Sequence, residues 1–335
     1  MKKPTTLRSQ STAEQWIIEI ENLTKYFRQA AAVDGLNLTV RRGEIFGLVG
    51  PDGAGKTTTI RMLCAVMDPS AGRARVAGLD TVADAEQIKR RIGYMAQKFN
   101  LYGDLSAEEN LDFFADIFQV RGRERRVRKE RLLQFAQLTE FRKRRAAHLS
   151  GGMQKKLALA CTLIHQPNIV FLDEPTTGVD PVSRREFWDI LTDLHLQGIT
   201  IFVSTPYMDE AERCSRVALM YQGRIIVCDV PERIKGLVSG ELLEVRPSPR
   251  GLRRAAGLVS GFEGVLEVQT FGDLLHVFVD SATVRGDPLR TALESAGIQV
   301  LSLRQTRPRM EEAFISLVRR QMAQPTDTAE KRMEA

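Results

Sequence analysis

The apolar run Ile45–Val49 stops at Gly50, and Gly50-Pro51-Asp52-Gly53-Ala54-Gly55-Lys56-Thr57 leads straight into the helix-compatible Thr58-Thr59-Ile60-Arg61-Met62-Leu63. A buried strand must therefore turn and re-emerge as a helix within a few residues, which calls for glycine. This is the G-x-x-x-x-G-K-[ST] spacing in the strand–turn–helix context that it requires. The glycines let backbone N–H groups curl around phosphate oxygens, and the helix N-terminus adds a positive partial charge. Lys56 reaches the β and γ phosphates, and the Thr57 hydroxyl ligates Mg²⁺. The candidate nucleotide contacts are Gly50, Asp52, Gly53, Ala54, Gly55, Lys56, Thr57 and Thr58.

Such a loop belongs at a strand end of an open α/β sheet. From Trp16 to about Lys235, short apolar runs (EIFGLVG, RIGYMAQ, NIVFLDE, ITIFVST and VALMYQGRIIV) alternate with helical stretches. Between about 99 and 165 no strand is expected, and Leu111, Phe114, Ala115 and Phe118 keep helical spacing, so a helical insertion is predicted there. The segment 241–322 reads differently. Its runs ELLEVRP, VLEVQT, LLHVFVD and IQVLSLRQT, with two helical segments and a closing helix, give the order β-α-β-β-α-β of a small ferredoxin-like α+β module. Segments 1–15 and 323–335 are expected to be flexible tails.

At 335 residues the chain suits two domains. No apolar stretch approaches the roughly 18–20 residues that span a bilayer, and MKKPTTLRSQSTAEQ has no apolar run behind its charge. A cytosolic chain without a secretory signal is expected. Cys64, Cys161, Cys214 and Cys228 show no CxxC spacing, so reduced thiols are the expectation. The net charge of +6 is mild, but basic residues cluster at Arg121–Arg131 and Arg142–Arg145. A solvated helical face, a lipid headgroup contact and a nucleic-acid contact all suit those clusters.

Two further segments bear on the phosphate loop. The apolar strand Ile169–Leu172 ends in Asp173-Glu174. Asp173 suits the outer shell of Mg²⁺, and Glu174 suits the attacking water as its orienting group or general base. Leu149-Ser150-Gly151-Gly152-Met153 precedes the helical QKKLALACTLI, which makes a second anion site at a helix start. Phosphate loop, LSGGM, acid pair and TTGVDP follow one another in the order found in ABC transporters, and residues 16–235 resemble their nucleotide-binding subunit.

The resemblance implies a P-loop NTPase with a RecA-like core and a helical subdomain at about 99–165. It also implies ATP hydrolysis with Mg²⁺, and two modules dimerising head to tail. Ser150, Gly151 and Gly152 of LSGGM would then serve the partner's ATP. Phe27 falls where the family stacks an aromatic on adenine, although a core Phe would look the same. Gln97 matches the glutamine that touches Mg²⁺ and senses the membrane subunit. Asp180 in GVDP matches the loop that crosses the dimer interface, with a plain Asp-Pro turn as the alternative.

One departure stands out. The family places a histidine that contacts the γ phosphate before YMDEAE, and here that position is Pro206, which has neither a side-chain donor nor a backbone N–H. A slow site of its own, with a signature able to complete a partner's site, is implied. LSGGMQKKLALACTLIHQPNIVFLDEPTTGVDP, MDEAE and the tail PRMEEAFISLV are similar to ATPase subunits of ABC-2-type exporters. GPDGAGKT without the histidine resembles the first ATPase module of bacterial tandem exporters. The implied partners are ABC-2-type permease subunits and a second ABC ATPase, as a heterodimer in preference to a homodimer. The implied location is the inner face of the cell membrane, with no nucleic acid expected. Two other readings stay open: a soluble ABC ATPase acting on ribosomes or nucleic acid, and a nucleotide-gated regulator with little turnover.

Overall fold

The computed structural model describes residues 15–98 and 101–323. The expected tails before Gln15 and after Ala323, and Phe99 at the expected start of the helical block, lie outside the described residues. The chain forms two compact units that divide between Cys228 and Asp229.

The first unit opens with β1 (Trp16–Phe27), β2 (Ala30–Arg41), β3 (Ile45–Val49), α1 (Lys56–Leu63), β4 (Ala71–Val76), β5 (Leu79–Asp80), α2 (Ala85–Arg91) and β6 (Ile92–Met95). It continues with α3 (Ala107–Ile117), α4 (Gly122–Phe135), α5 (Gly151–Leu163), β7 (Ile169–Asp173), α6 (Pro181–Leu196), β8 (Thr200–Thr205), α7 (Met208–Ala211), β9 (Arg216–Tyr221) and β10 (Arg224–Asp229). Six strands make the main sheet in the order β10-β9-β3-β8-β7-β6. Within it β3 runs parallel to β8 and β9, and β7 runs parallel to β6 and β8. Every residue of β3, β7 and β8 is buried. That is why these strands are continuous apolar runs rather than alternating ones. Phe202 of β8 lies between Phe46 of β3 and Phe171 of β7, with ring centroids 5.4 and 5.5 Å away.

A second sheet, β2-β1-β4-β5, is antiparallel. Its strands are absent from the five predicted runs, because register shifts between Ile20 and Leu23 and again at Lys25 break the period of two. One expected strand is also corrected. VALMYQGRIIV is two strands, β9 and β10, separated at Gln222 and Gly223, which both have positive φ (47° and 81°). A Cβ at Gly223 would come within 3.1 Å of Ala32 O, so glycine lets the turn lie against β2.

The helical block between β6 and β7 contains α3, α4 and α5, and no strand appears there among the described residues. Ser106 and Glu109 form a capping box that starts α3. Four residues of the basic clusters are spent on acids inside this block. Arg125 pairs with Asp112 and Asp116, Lys129 with Glu108 and Asp112, and Arg142 with Glu108 and Glu130. Arg128 pairs with Glu124 and donates to Ile164 O. Charge there ties α3 to α4 and to the following turn.

The second unit comprises α8 (Pro231–Lys235), β11 (Glu241–Pro247), α9 (Leu252–Ser260), β12 (Val265–Phe271), β13 (Leu274–Val279), α10 (Ala282–Ser295), β14 (Val300–Thr306) and α11 (Met310–Ala323). Its antiparallel sheet has the order β12-β13-β11-β14, the ferredoxin-like arrangement. Leu243, Val245, Leu275 and Val277 form the core face with Ala255 and Val259 of α9 and Leu289 and Leu293 of α10. The sequence reading put α8 with the first domain. In the structure α8 packs on α11, and Arg320 donates to Leu237 O at 3.0 Å, so it belongs with the second unit.

The Arg142 guanidinium, with Lys129 beside it, pulls the Glu108 carboxyl down to about 2. A depressed folded-state pKa adds stability above the unfolded value and loses it as pH falls towards 2. Glu108→Gln is therefore expected to lower the melting temperature at pH 7 by about 2–4 °C. The gap should narrow steadily in melting curves recorded from pH 5 down to pH 3.

Candidate functional site

The phosphate loop is shaped by close backbone approaches. A Cβ at Gly50 would lie 2.1 Å from Met220 O of β9, and one at Gly55 would lie 2.3 Å from Ala32 O of β2. Gly55 is also the N-cap of α1 with φ of 106°, a conformation that L side chains rarely adopt. Gly53 has φ of 78° but open space around it. Gly55→Ala should thus lower the melting temperature far more than Gly53→Ala. The latter carries only the left-handed backbone cost of roughly 1–2 kcal/mol. Equal shifts in a thermal melt would show that the approach to Ala32 is not what holds the loop.

Lys56 is buried, and its ammonium spends its three donors locally. Nζ donates to Gly50 O at 2.8 Å and to Pro51 O at 3.0 Å, and it pairs with Glu174 Oε1 at 3.1 Å. The loop's cation therefore meets the end of β7 directly. Thr57 Oγ1 donates to Asp173 Oδ1 at 3.0 Å, and Ser204 Oγ donates to the same oxygen at 2.7 Å. Burial pushes the Asp173 carboxyl above its ordinary range, against the two hydroxyls, which act downward. Glu174 has a left-handed backbone (φ 46°), and its N–H is shared between Ser204 O and Ser204 Oγ, both at 3.1 Å. Its second oxygen accepts Gln97 Nε2 at 2.8 Å. Lys56, Thr57, Asp173, Glu174 and Gln97, expected as one site, are one connected cluster.

A divalent cation fits this donor set. Thr57 Oγ1 and Asp173 Oδ1 are two hard oxygens 3.0 Å apart beside a phosphate loop. No group of three or more His, Cys, Asp or Glu side chains suited to a metal occurs among the described residues. Mg²⁺ needs only one or two protein oxygens when phosphates and water supply the rest.

The other expected residues are placed separately. Ser150 caps α5, accepting Met153 N at 3.3 Å, and both it and Gly151 are exposed. Gly151 has nothing within 4 Å of a would-be Cβ, whereas one at Gly152 would lie 2.4 Å from Ser183 Oγ of α6. Gly152 thus also serves the packing of two helices. Gln97, Gly151, Lys155 and Thr177 line a cavity of about 270 Å³. Lys155 donates to Gln97 O at 3.3 Å, and burial lowers its pKa against the pull of Glu174. Asp180 caps α6 through Val182 N and Ser183 N, and these bonds, with Ser183 first, hold its carboxyl below its ordinary range. Phe27 is 47% exposed at the β1–β2 turn, on the hairpin whose second strand passes beside Gly55. Pro206 follows β8, and the next N–H, that of Tyr207, is taken by Thr205 Oγ1 at 3.0 Å. Sequence reasoning missed Ser204, Thr205 and Lys155, whose only signal was position at the end of an apolar strand or inside a helix.

Residues 33–177 match the ABC transporter family. Over 306 residues the chain is 35% identical to the daunorubicin resistance ATP-binding protein DrrA2 of Streptomyces coeruleorubidus, covering 90% of this chain and 95% of that one. The chain belongs to the ABC transporter family. It is also 44% identical over 226 residues to the probable multidrug ABC transporter ATP-binding protein YbhF of Escherichia coli (strain K12), across 68% of this chain. This ABC protein spans only 39% of the length of YbhF. Among solved structures it is similar to the dimeric post-hydrolysis ATP-binding cassette MJ0796 bound to ADP and Pi. The TM-score is 0.58 with 28% identity, over 64% of this chain and 98% of that one. The first unit of the ABC protein is therefore a P-loop NTPase cassette. No helix among its described residues is long and apolar enough to cross a membrane.

Proposed function

We propose that the chain is the ATP-binding and ATP-hydrolysing subunit of an ABC-2-type exporter, cytoplasmic and peripheral on the inner membrane face. It would act with separate permease subunits and a second ABC ATPase. The observation that carries the hydrolytic part of this reading is the contact of the Lys56 ammonium with the Glu174 carboxyl at 3.1 Å, with Gln97 on the other carboxyl oxygen. The names of relatives concerned with drug resistance and multidrug transport support an export role.

The chemistry follows from the residues. Backbone N–H groups of Gly53–Thr57 and the start of α1 receive the phosphates, and Lys56 turns from Gly50 O and Pro51 O to the β and γ oxygens. The same exchange takes the ammonium from Glu174, which then accepts a proton from water as the water oxygen attacks the γ phosphorus, the bond to the bridging oxygen breaks and ADP leaves. Gln97 orients the Glu174 carboxyl. Thr57, Asp173 and Gln97 are the residues that would hold Mg²⁺, which supplies charge neutralisation on the phosphoryl oxygens. Phe27 would stack on adenine. Ser150, Gly151 and Asp180 would act across a dimer interface, because the first two present an open helix start to solvent rather than to their own phosphate loop.

Glu174→Gln is expected to retain ATP binding while turnover falls by at least 100-fold, since the water loses its base. Lys56→Ala should instead lose nucleotide affinity. Equilibrium binding of a fluorescent nucleotide and phosphate release separate the two, and a Glu174→Gln variant with parental turnover would overturn the assignment.

Pro206 favours a slow site of its own that depends on a partner. The chain alone should hydrolyse slowly, with a clear increase on adding an ATPase that carries the complete motif set. Gly151→Asp, which the open surroundings of Gly151 accommodate without disturbing the fold, should abolish that increase by setting a carboxylate against the γ phosphate. Equal rates with and without the partner would remove the heterodimer argument.

A further inference from the structure

Glu210 of α7 is 1% exposed, and its carboxyl oxygens take one hydroxyl from the turn after β7 and one from the end of β8. Thr176 Oγ1 donates to Oε1 at 2.5 Å, and Thr205 Oγ1 donates to Oε2 at 2.6 Å. Thr176 stands two residues after Glu174, and Thr205 immediately precedes Pro206. The Thr205 hydroxyl also accepts Tyr207 N at 3.0 Å, and its carbonyl accepts the N–H of Gly50 at 3.3 Å. Arg184 of α6 closes the third side. Its Nε lies 3.7 Å from Glu210 Oε1, and its guanidinium carbon lies 4.0 Å over the Tyr207 ring.

A carboxyl group taken out of water is retained only when its lone pairs are met. Here both oxygens are met by groups that flank the reacting centre. Residue 206 offers the nucleotide no side-chain donor, so the turn that contains it has no hold from the front through that residue. It is held from behind.

We infer that Glu210 is a positioning residue for ATP hydrolysis. Through Thr205 and Thr176 it fixes the 204–207 turn against Gly50 on one side and against the Glu174 segment on the other, so that phosphate loop, turn and catalytic carboxyl keep one geometry. Glu210 has each carboxyl oxygen on a threonine hydroxyl, so it acts through Thr205 and Thr176 rather than on the reacting atoms. The inference rests on the hydrolytic reading above, and it predicts a defect in turnover rather than in binding, because a misplacement of about 1 Å costs on the order of 100-fold in rate.

The test uses the full chain and its partner ATPase. Thr205→Val removes the hydroxyl and keeps the shape, and Thr205→Ser restores it. With Thr205→Val, kcat should fall about tenfold or more, while ATP affinity stays within a few-fold. Amide exchange at Gly50 and Tyr207 should quicken several-fold, and Thr205→Ser should return all three to parental values. Thr176→Val should reproduce the loss of kcat, and the double variant should fall little further, since both hydroxyls act through one carboxyl.

Parental kcat in a folded Thr205→Val protein, a loss of affinity that accounts for the loss of rate, additive double-variant effects, or no rescue by serine would each overturn the inference. If Thr205→Val does not fold, Thr176→Val with Thr176→Ser as its rescue carries the same comparison. A parental protein without turnover, alone or with the partner, would sink the hydrolytic reading. The exchange measurement would still decide whether the Glu210 contacts hold the turn: unchanged exchange overturns them, and quickened exchange upholds them.

Discussion

The buried ammonium of Lys56 is the point on which the first unit is assembled. A charge in that position is tolerated only because Gly50 O, Pro51 O and the Glu174 carboxyl surround it. Turning two carbonyls inward requires a loop without side chains at Gly50 and Gly55, where β9 and β2 press against the backbone. Removing one partner from a buried pair of this kind typically costs ~3–5 kcal/mol, because the other charge is left stranded. The pair therefore ties α1 to the end of β7 mechanically as well as electrostatically. A triphosphate that claims the ammonium alters the surroundings of the carboxyl in the same event.

Around that pair the hydroxyls form a second tier. Ser204 bonds both Asp173 and the Glu174 N–H, and Thr205 joins Glu210, Tyr207 and Gly50. Charged groups near the nucleotide are thus positioned by neutral donors at the ends of parallel strands, where an open α/β sheet gathers its loops. The start of α5 has the opposite character. Ser150 and Gly151 are exposed and aim no side chain at Lys56 or Glu174, which suits an anion brought by another molecule.

The parts of the site that follow one another along the chain were readable from the residues. A glycine loop between an apolar run and a helix, and two acids after an apolar run, each fix their own local geometry, and both appear where expected. The strands β1, β2 and β4 were not readable, because register shifts break their alternation and because β1 takes its second neighbour, β4, from about fifty residues further along the chain. The turn at Gln222-Gly223 was missed for a related reason: the apolar character continues through β9 and β10, and only two positive φ angles mark the break. The place of α8 depended on Arg320, some eighty residues away in sequence, which no local pattern reveals.

Residue types and spacing by themselves determined that this chain contains a phosphate loop, an acid pair, a glycine signature and a ferredoxin-like order of elements, because each depends on backbone propensity and polarity over a dozen residues or so. They also determined that position 206 has no donor to offer. Only the tertiary structure decided that Lys56 meets Glu174, that Gln97 shares that carboxyl, and that Gly152 makes room for Ser183. It alone turned an unremarked glutamate, Glu210, into the junction of the turn after β7 and the end of β8. The physical reason is that hydrogen bonds and ion pairs act over about 3 Å in space, and the crossing of parallel strands brings residues 56, 97, 174, 205 and 210 within that distance of their partners in a way that no local stretch of sequence encodes.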